Sequence, residues 1–291
     1  MQQLLQHEPQ IAGGVAIPDA RAGVLIQPRG RSWRVFHEVT LPWIGGIAII
    51  GMIVVLAAFL IAKGRIRIRA GFSKVRILRF AAFERFVHWL TAVSFVVLGL
   101  TGLNITFGKW VLLPILGNQA FSAMTEWGKY AHNFFAWPFM LGVVLIFIIW
   151  IKDNLPNQVD INWLRQGGGL VGEGDPPAER FNAGQKLIFW IAVLGGVVVS
   201  LSGLTLLFPF SVAAIDGMQT ANLVHAVLGL LMIAIFLAHI YIGTLGMEGA
   251  FDAMGTGEVD LNWAKQHHPL WLEEEEAKKR IPDLHGQAPA E

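Results

Sequence analysis

The sequence contains no cysteine. That absence excludes disulfides, cysteine-ligated iron–sulfur clusters, covalent c-type haem attachment and thiol catalysis within this chain. Any redox chemistry here must use other ligands or the cofactors of a partner. Charge is scarce as well. Asp, Glu, Lys and Arg make up 15% of the 291 residues, hydrophobic residues make up 54%, and the mean hydropathy is +0.52, which is too apolar for a soluble domain of this length. The formal net charge of +1 offers no bulk attraction to nucleic acid, so the position of each charge along the chain carries the information. Near the start there is also no apolar run of the roughly 7–15 residues that a cleavable signal requires.

What the chain does have is uncharged apolar runs. Residues 41–62, LPWIGGIAIIGMIVVLAAFLIA, form the first, and four more follow at about 86–107, 131–151, 187–209 and 222–246. Each approaches or exceeds the roughly 20 residues needed to cross a ~30 Å hydrocarbon core as a helix. The expected fold is therefore an all-α integral membrane protein. Sixteen Lys and Arg fall on one side of these spans and six on the other. The basic side marks the cytoplasm, which places the amino terminus outside and the carboxyl terminus inside. Residues 1–40 then read as an extracytoplasmic extension, with short apolar pieces, VAIP and GVLI, that can pair as strands on a partner. Residues 152–186 read as an irregular, turn-rich loop capping the cytoplasmic face. The tail 273–291 reads as a solvated helix face, EEEEAKKR, followed by a disordered end.

The last four spans contain no Asp or Glu, yet they hold four histidines: His88, His132, His225 and His239. His225 and His239 share one span and are fourteen residues apart, a rise of about 21 Å and a rotation about 40° short of four turns. Both imidazoles point to similar sides of that helix, one near each membrane face. With the topology above, His88 matches His239 in depth near the cytoplasm, and His132 matches His225 near the outer face. An ionisable or metal-ligating group inside a span is costly and is usually functional. Two imidazoles at one depth, from different helices of a bundle, suit the two axial positions of a b-type haem. Two such pairs would hold two haems. A proton relay or ion carrier is the competing reading, and the missing carboxylates make it the weaker one. Gly99, Gly102, Gly203 and Gly229 lie near the histidines, where small residues let helices or a macrocycle approach closely. His7 and His37 read as surface histidines, and His267 and His268 as surface or interface packing without a closed ligand set.

The segments FERFVHW (83–89), KYAHNFFA (129–136), FNAGQK (181–186), LVHAVLG and LAHIYIG (within 223–243) and GEVDLNWAKQHHPLW (257–271) resemble the cytochrome b, or gamma, subunit of membrane-bound respiratory formate dehydrogenase. The resemblance covers about residues 75–272. Related dihaem cytochromes b serve nickel–iron hydrogenases; the NAGQK segment and the WAKQHHP tail favour formate dehydrogenase. The resemblance implies a four-helix transmembrane dihaem bundle, here preceded by an extra amino-terminal transmembrane helix at 41–62. It implies that His132 and His225 are axial ligands of an outer haem b, and His88 and His239 those of an inner one. It also implies a quinone site, for menaquinone or ubiquinone, formed by Asn182, Gly184, Gln185 and His239. Taken by itself, FNAGQK is equally a loop-to-helix junction with Asn182 as N-cap. Arg79, Arg85 and Lys186 stand near the inner interface, where they suit haem propionates or plain positive-inside anchoring.

The implied function is electron relay. Formate is oxidised outside by a molybdenum or tungsten alpha subunit, and electrons pass through an iron–sulfur beta subunit to the two haems and then to quinone near the cytoplasm of a bacterial inner membrane. Smaller family members begin near the His88 span. Longer relatives carry an extension like residues 1–74, often behind a signal sequence, and nothing in that extension matches the haem or quinone motifs.

Overall fold

A computed structural model of the protein describes residues 29–169 and 174–278. His7, the pieces VAIP and GVLI, and the end 281–291 lie outside the described residues. Among the described residues, five helices are long and apolar enough to cross a membrane. They are α1 (Gly30–Lys63), α2 (Ala82–Val111), α3 (Leu113–Trp150), α5 (Ala183–Leu207) and α6 (Ile215–Gly246), with a short polar helix α4 (Gln158–Arg165) between the third and fourth. Helices are what such runs must form, because hydrocarbon offers no partner to an unpaired backbone N–H or C=O.

The helices outrun the apolar stretches that announce them. α1 begins at Gly30, eleven residues before the expected start, and carries a π-helical turn at Phe36–Thr40. α3 reaches back through NQAFSAMTEWGKYA to Gly117, whose φ of 73° breaks the helical run. Hydropathy marks only the lipid-embedded part of a helix, whereas the Gln, Ala, Met, Glu and Lys of that stretch favour helix in water as well. The loop expected at 152–186 is also more ordered than its composition suggests. Asn157 Oδ1 accepts from Val159 N (2.9 Å) and Asp160 N (3.2 Å), while Asp160 Oδ2 accepts from Asn157 N (2.8 Å). This reciprocal capping box nucleates α4.

Two helix pairs build the bundle: α2 packs along α3, and α5 along α6. Gly142 permits the first pairing, since a β-carbon there would overlap Thr91 of α2. α1 lies alongside α6 in the same direction. A β-carbon built on Gly45 would stand 2.7 Å from Leu230 Cδ1 and 3.1 Å from the Phe107 ring, and further along Phe59 meets Tyr241 edge-on at 6.5 Å. The opposite side of α1 presents Trp43, Ile47, Ile50, Val54 and Ile61 outward, as a lipid-facing surface does.

The densest core sits at the basic end of the bundle, where Lys63, Arg65, Arg67 and Arg69 follow α1. Strand β1 (Arg76–Leu78) pairs antiparallel with β2 (Glu258–Asp260), in the register Arg76 with Asp260, Ile77 with Val259 and Leu78 with Glu258. Two short helices follow, α7 (Leu261–His267) and α8 (Pro269–Ala277). Ile77 and Val259 turn inward onto Phe80, Trp150, Phe181 and Trp263. The ribbon and its neighbours thus close that end of the bundle with an aromatic floor. α8 includes most of the EEEEAKKR segment, and Glu273 and Glu274 on it are exposed.

Candidate functional site

The four span histidines come together in the two expected pairs. His132 on α3 and His225 on α6 have ring centroids 6.1 Å apart, with planes inclined by 67°. His88 on α2 and His239 on α6 have centroids 6.3 Å apart, at 57°. α6 packs far less extensively against α2 and α3 than those two pack on each other, and the paired rings reach across from opposite sides. Between the two levels, Phe95 and Phe236 stack edge to face at 4.8 Å, and Phe95 also contacts Phe139 at 6.1 Å. An aromatic layer therefore separates the pairs.

The far pair, away from the basic end, is held by hydrogen bonds whose direction can be assigned. Thr101 Oγ1 donates to the carbonyls of Val97 (2.7 Å) and Leu98 (3.1 Å) and lies 2.8 Å from His132 Nδ1. With its own proton committed to a carbonyl, the hydroxyl accepts from His132 Nδ1–H. His225 Nδ1 lies 2.9 Å from the Val199 carbonyl, which can only accept, so this ring also carries its proton on Nδ1. Ser202 Oγ stands 3.3 Å from the same nitrogen. Both rings thereby keep the lone pair of Nε2 free for a metal. Gly203 makes the fit possible: a β-carbon there would be 3.1 Å from His225 Cε1. Gly102 lies beside His132 at the equivalent 3.9 Å, and Gly229 faces open space.

The pair at the basic end is anchored differently. His88 Nδ1 is buried without a hydrogen-bond partner among the described residues. Its ring meets Trp89 at 5.2 Å, and the His239 ring meets Phe236 at 6.2 Å.

These donors fit a b-type haem. A metal–imidazole bond of about 2 Å puts two imidazoles on opposite sides of one iron with centroids about 6 Å apart, close to the 6.1 and 6.3 Å seen here. Among the described residues no group of three or more His, Asp or Glu is placed to hold a metal ion. Two neutral imidazoles make an incomplete set for a bare ion but a complete axial set for an iron already ringed by a macrocycle.

The FNAGQK turn opens α5 as a capping box. Asn182 Oδ1 accepts from Gln185 N (2.9 Å), and Gln185 Oε1 accepts from Asn182 N (3.0 Å). Both amide oxygens are thus turned onto the backbone, leaving the two NH2 groups as donors. Gly184 lies under the Trp163 ring of α4, where a β-carbon would stand 3.4 Å from the indole. Among the described residues, no hydrogen bond or ring contact joins this turn to His239 directly.

The basic end also holds buried chemistry that the sequence reading did not find. His268 is 1% exposed rather than superficial, and His267 is buried too. Arg79 is wedged between the faces of Phe80, Trp263 and Trp271, at 5.3, 5.1 and 4.9 Å from their centroids. Its Nη2 donates to Arg180 O (2.6 Å) and to His268 Nε2 (3.1 Å), while His268 Nδ1–H donates to Glu179 O (2.6 Å). Burial and the nearby Arg180 lower the Arg79 pKa to about 9; burial and the Arg79 guanidinium hold His268 well below its ordinary value. Arg180 in turn grips Glu84 (2.7 Å) and Asp153 (2.6 Å), and Glu84 also accepts from Trp150 Nε1 (2.7 Å). Arg85 donates to Thr256 O at 2.5 Å, and Lys186 pairs with Asp160 at 2.9 Å. Arg79, Arg85 and Lys186, considered above as propionate partners, each make hydrogen bonds to other residues of the chain, Arg79 and Lys186 from buried positions and Arg85 from a half-exposed one. The signal for this cluster was the bracketing of HHP by two tryptophans, Trp263 and Trp271, which places the pair of histidines in an aromatic setting.

Residues 79–257, which include all four paired histidines, match the family of prokaryotic cytochrome b561. The chain is 30% identical over 203 residues to the formate dehydrogenase cytochrome b556(fdo) subunit of Escherichia coli (strain K12), covering 68% of this chain and 92% of that protein. It is 28% identical over 218 residues to the nitrate-inducible formate dehydrogenase cytochrome b556(Fdn) subunit of the same organism, covering 70% and 94%. To the formate dehydrogenase cytochrome b556 subunit of Haemophilus influenzae it is 26% identical over 219 residues, covering 73% and 89%.

Proposed function

This chain belongs to the prokaryotic cytochrome b561 family, and from that premise we propose that it is the membrane cytochrome b subunit of a formate dehydrogenase, carrying electrons across a bacterial inner membrane to a quinone. The observation that carries the reading is the double pairing of imidazoles, His132 with His225 and His88 with His239, at 6.1 and 6.3 Å. Each pair would hold one b haem, His132 with His225 and His88 with His239 supplying the ligands. Bound there, haem supplies reversible one-electron chemistry.

The chain's own part is to hold, orient and exclude. Thr101 and the Val199 carbonyl fix the far imidazoles in the Nδ1–H form, with Nε2 presented to the metal. Phe95, Phe139 and Phe236 keep water out of the space between the two levels. The basic end faces the cytoplasm, so His132 and His225 form the outer pair and His88 and His239 the inner one. Electrons enter at the outer face from a partner's iron–sulfur clusters, since a cysteine-free chain holds none of its own. The formate-oxidising centre, molybdenum or tungsten, likewise belongs to a partner. At the inner end the NH2 groups of Asn182 and Gln185 donate to the carbonyl of a quinone, beside Gly184, whose lack of a side chain lets Trp163 close over the turn, and His239 completes the set. Protons for the quinone arrive from the cytoplasm, and formate oxidation outside is thereby coupled to membrane potential.

A reduced-minus-oxidised optical spectrum with haem counted per chain tests this. The expected result is two b haems in the wild type and about one in His225→Ala, with formate reducing the bands when the partner subunits are present. A colourless wild-type protein correctly inserted in membrane would refute the cytochrome reading and return the histidines to a proton path.

A further inference from the structure

Two pairs of identical ligands that share one helix, α6, need not be equal, and here they differ in what stands behind them. In the outer pair both Nδ1–H groups are hydrogen-bonded: His132 to Thr101 Oγ1 at 2.8 Å, His225 to the Val199 carbonyl at 2.9 Å. Thr101 is itself tied to the carbonyls of Val97 and Leu98, so it forms the middle of a short chain that ends on backbone oxygen. The inner pair lacks this support on at least one side, because His88 Nδ1 is buried with no partner among the described residues.

An acceptor behind Nδ1–H pushes electron density toward Nε2 and makes the imidazole a stronger donor. A stronger donor favours the more highly charged state of the metal, and second-shell hydrogen bonding is one of the levers by which proteins set haem potentials. We infer that Thr101 and the Val199 carbonyl are tuning and positioning groups that make the outer site the lower in reduction potential of the two. This rests on the two-haem reading above. The asymmetry is built by the chain alone: the hydrogen bonds that strengthen the ligands lie at the end where electrons enter, and the unsupported imidazole lies at the end where they leave.

Thr101 is the variable part, because the Val199 carbonyl belongs to the backbone. The experiment is an optical redox titration of the complete membrane complex, with haem counted per chain, for wild type, Thr101→Val, Thr101→Cys, Thr101→Ser and Ser202→Ala. Two waves are expected in the wild type. Thr101→Val should move the lower wave to a more positive potential and leave the upper wave in place. Thr101→Cys, a weaker acceptor, should move the lower wave less, and Thr101→Ser should leave it where it was. Ser202→Ala should have a smaller effect than Thr101→Val, since Ser202 Oγ at 3.3 Å is secondary to the Val199 carbonyl. If Thr101→Val loses one haem while Thr101→Ser keeps both, the hydroxyl holds the ligand and Thr101→Cys decides the tuning: a lower wave moved to more positive potential supports the inference, and an unmoved one overturns it. It is overturned if Thr101→Val retains two haems with neither wave moved, if the upper wave moves instead, or if Thr101→Ser loses a haem together with Thr101→Val. A wild type without haem would defeat the proposed function, a distinct outcome.

Discussion

Lys186→Met should unlock the segment that covers the basic end of α5. Lys186 Nζ makes three contacts: Asp160 Oδ2 at 2.9 Å, Glu179 Oε2 at 3.2 Å and Leu155 O at 3.2 Å. The lysine side chain is 4% exposed and that of Asp160 10%, whereas Glu179 is 39% exposed. Removing one partner of a buried ion pair leaves the other uncompensated and costs about 3–5 kcal/mol. Asp160 still accepts from Asn157 N at 2.8 Å, and Glu179 can turn to water and adds little, so the lower end, about 3 kcal/mol, applies. At 1.4 kcal/mol per factor of ten, local opening should become roughly a hundredfold more frequent. The absence of cysteine gives a clean assay, with Ala178→Cys as the reporter because Ala178 is 1% exposed and lies in the covering segment. Maleimide labelling of that thiol should quicken about a hundredfold when Lys186→Met is added. The further change Asp160→Asn, which removes the stranded charge, should recover most of the loss. Labelling of Lys186→Met within about threefold of the parent, less than 1 kcal/mol, would refute the reasoning, as would a double variant no slower than the single one.

Two further outcomes concern other parts of the fold. His268 and His267 are both held below the ordinary histidine value, chiefly by burial. The unfolded chain therefore takes up protons first, so their contribution to stability is full above about pH 6.5 and declines as pH falls below it. Labelling of the Ala178→Cys reporter, divided at each pH by the rate of the same thiol in the unfolded chain to remove the falling thiolate fraction, should accelerate on acidification, and His268→Gln should flatten that dependence. Gly45→Val should cost about 1–3 kcal/mol by overpacking α1 against Leu230 and Phe107. Gly46→Val, with nothing within 4 Å of its β-carbon, should leave the thermal midpoint in detergent nearly unchanged.

The histidine pairing was legible because depth in a membrane is a linear function of position along an apolar helix. Asn182 as a cap was equally legible, since Asn three residues before Gln is a local signature. What stayed hidden was decided by distance in sequence. Arg79 finds His268 across 189 residues, and no local pattern distinguishes the buried His268 from an exposed one. β1 and β2 are three residues each, too short for alternation to register. Gly45 and Gly46 are identical in sequence, yet only the first faces a neighbouring helix. The capping box of α4, Asn157 with Asp160, was present in the sequence but masked by the Gly- and Pro-rich residues around it. Helix ends lay beyond reach for a different reason: apolarity stops at the lipid boundary, while helix propensity does not.

The seat of α1 has a consequence for how the protein is made. Ser73 binds Asp260 and the Arg69 amide binds Gln266, across 187 and 197 residues, and α1 itself rests on α6. The first of the five described spanning helices thus docks against the last of them. At 5–20 residues per second, roughly 10–40 s separate their synthesis. During that interval α1 must reside in lipid without its partner, and its spanning window is the most apolar of the five. The seat of α1 is therefore completed late: only the arrival of α6 and the segment 258–266 gives it the rest of its contacts.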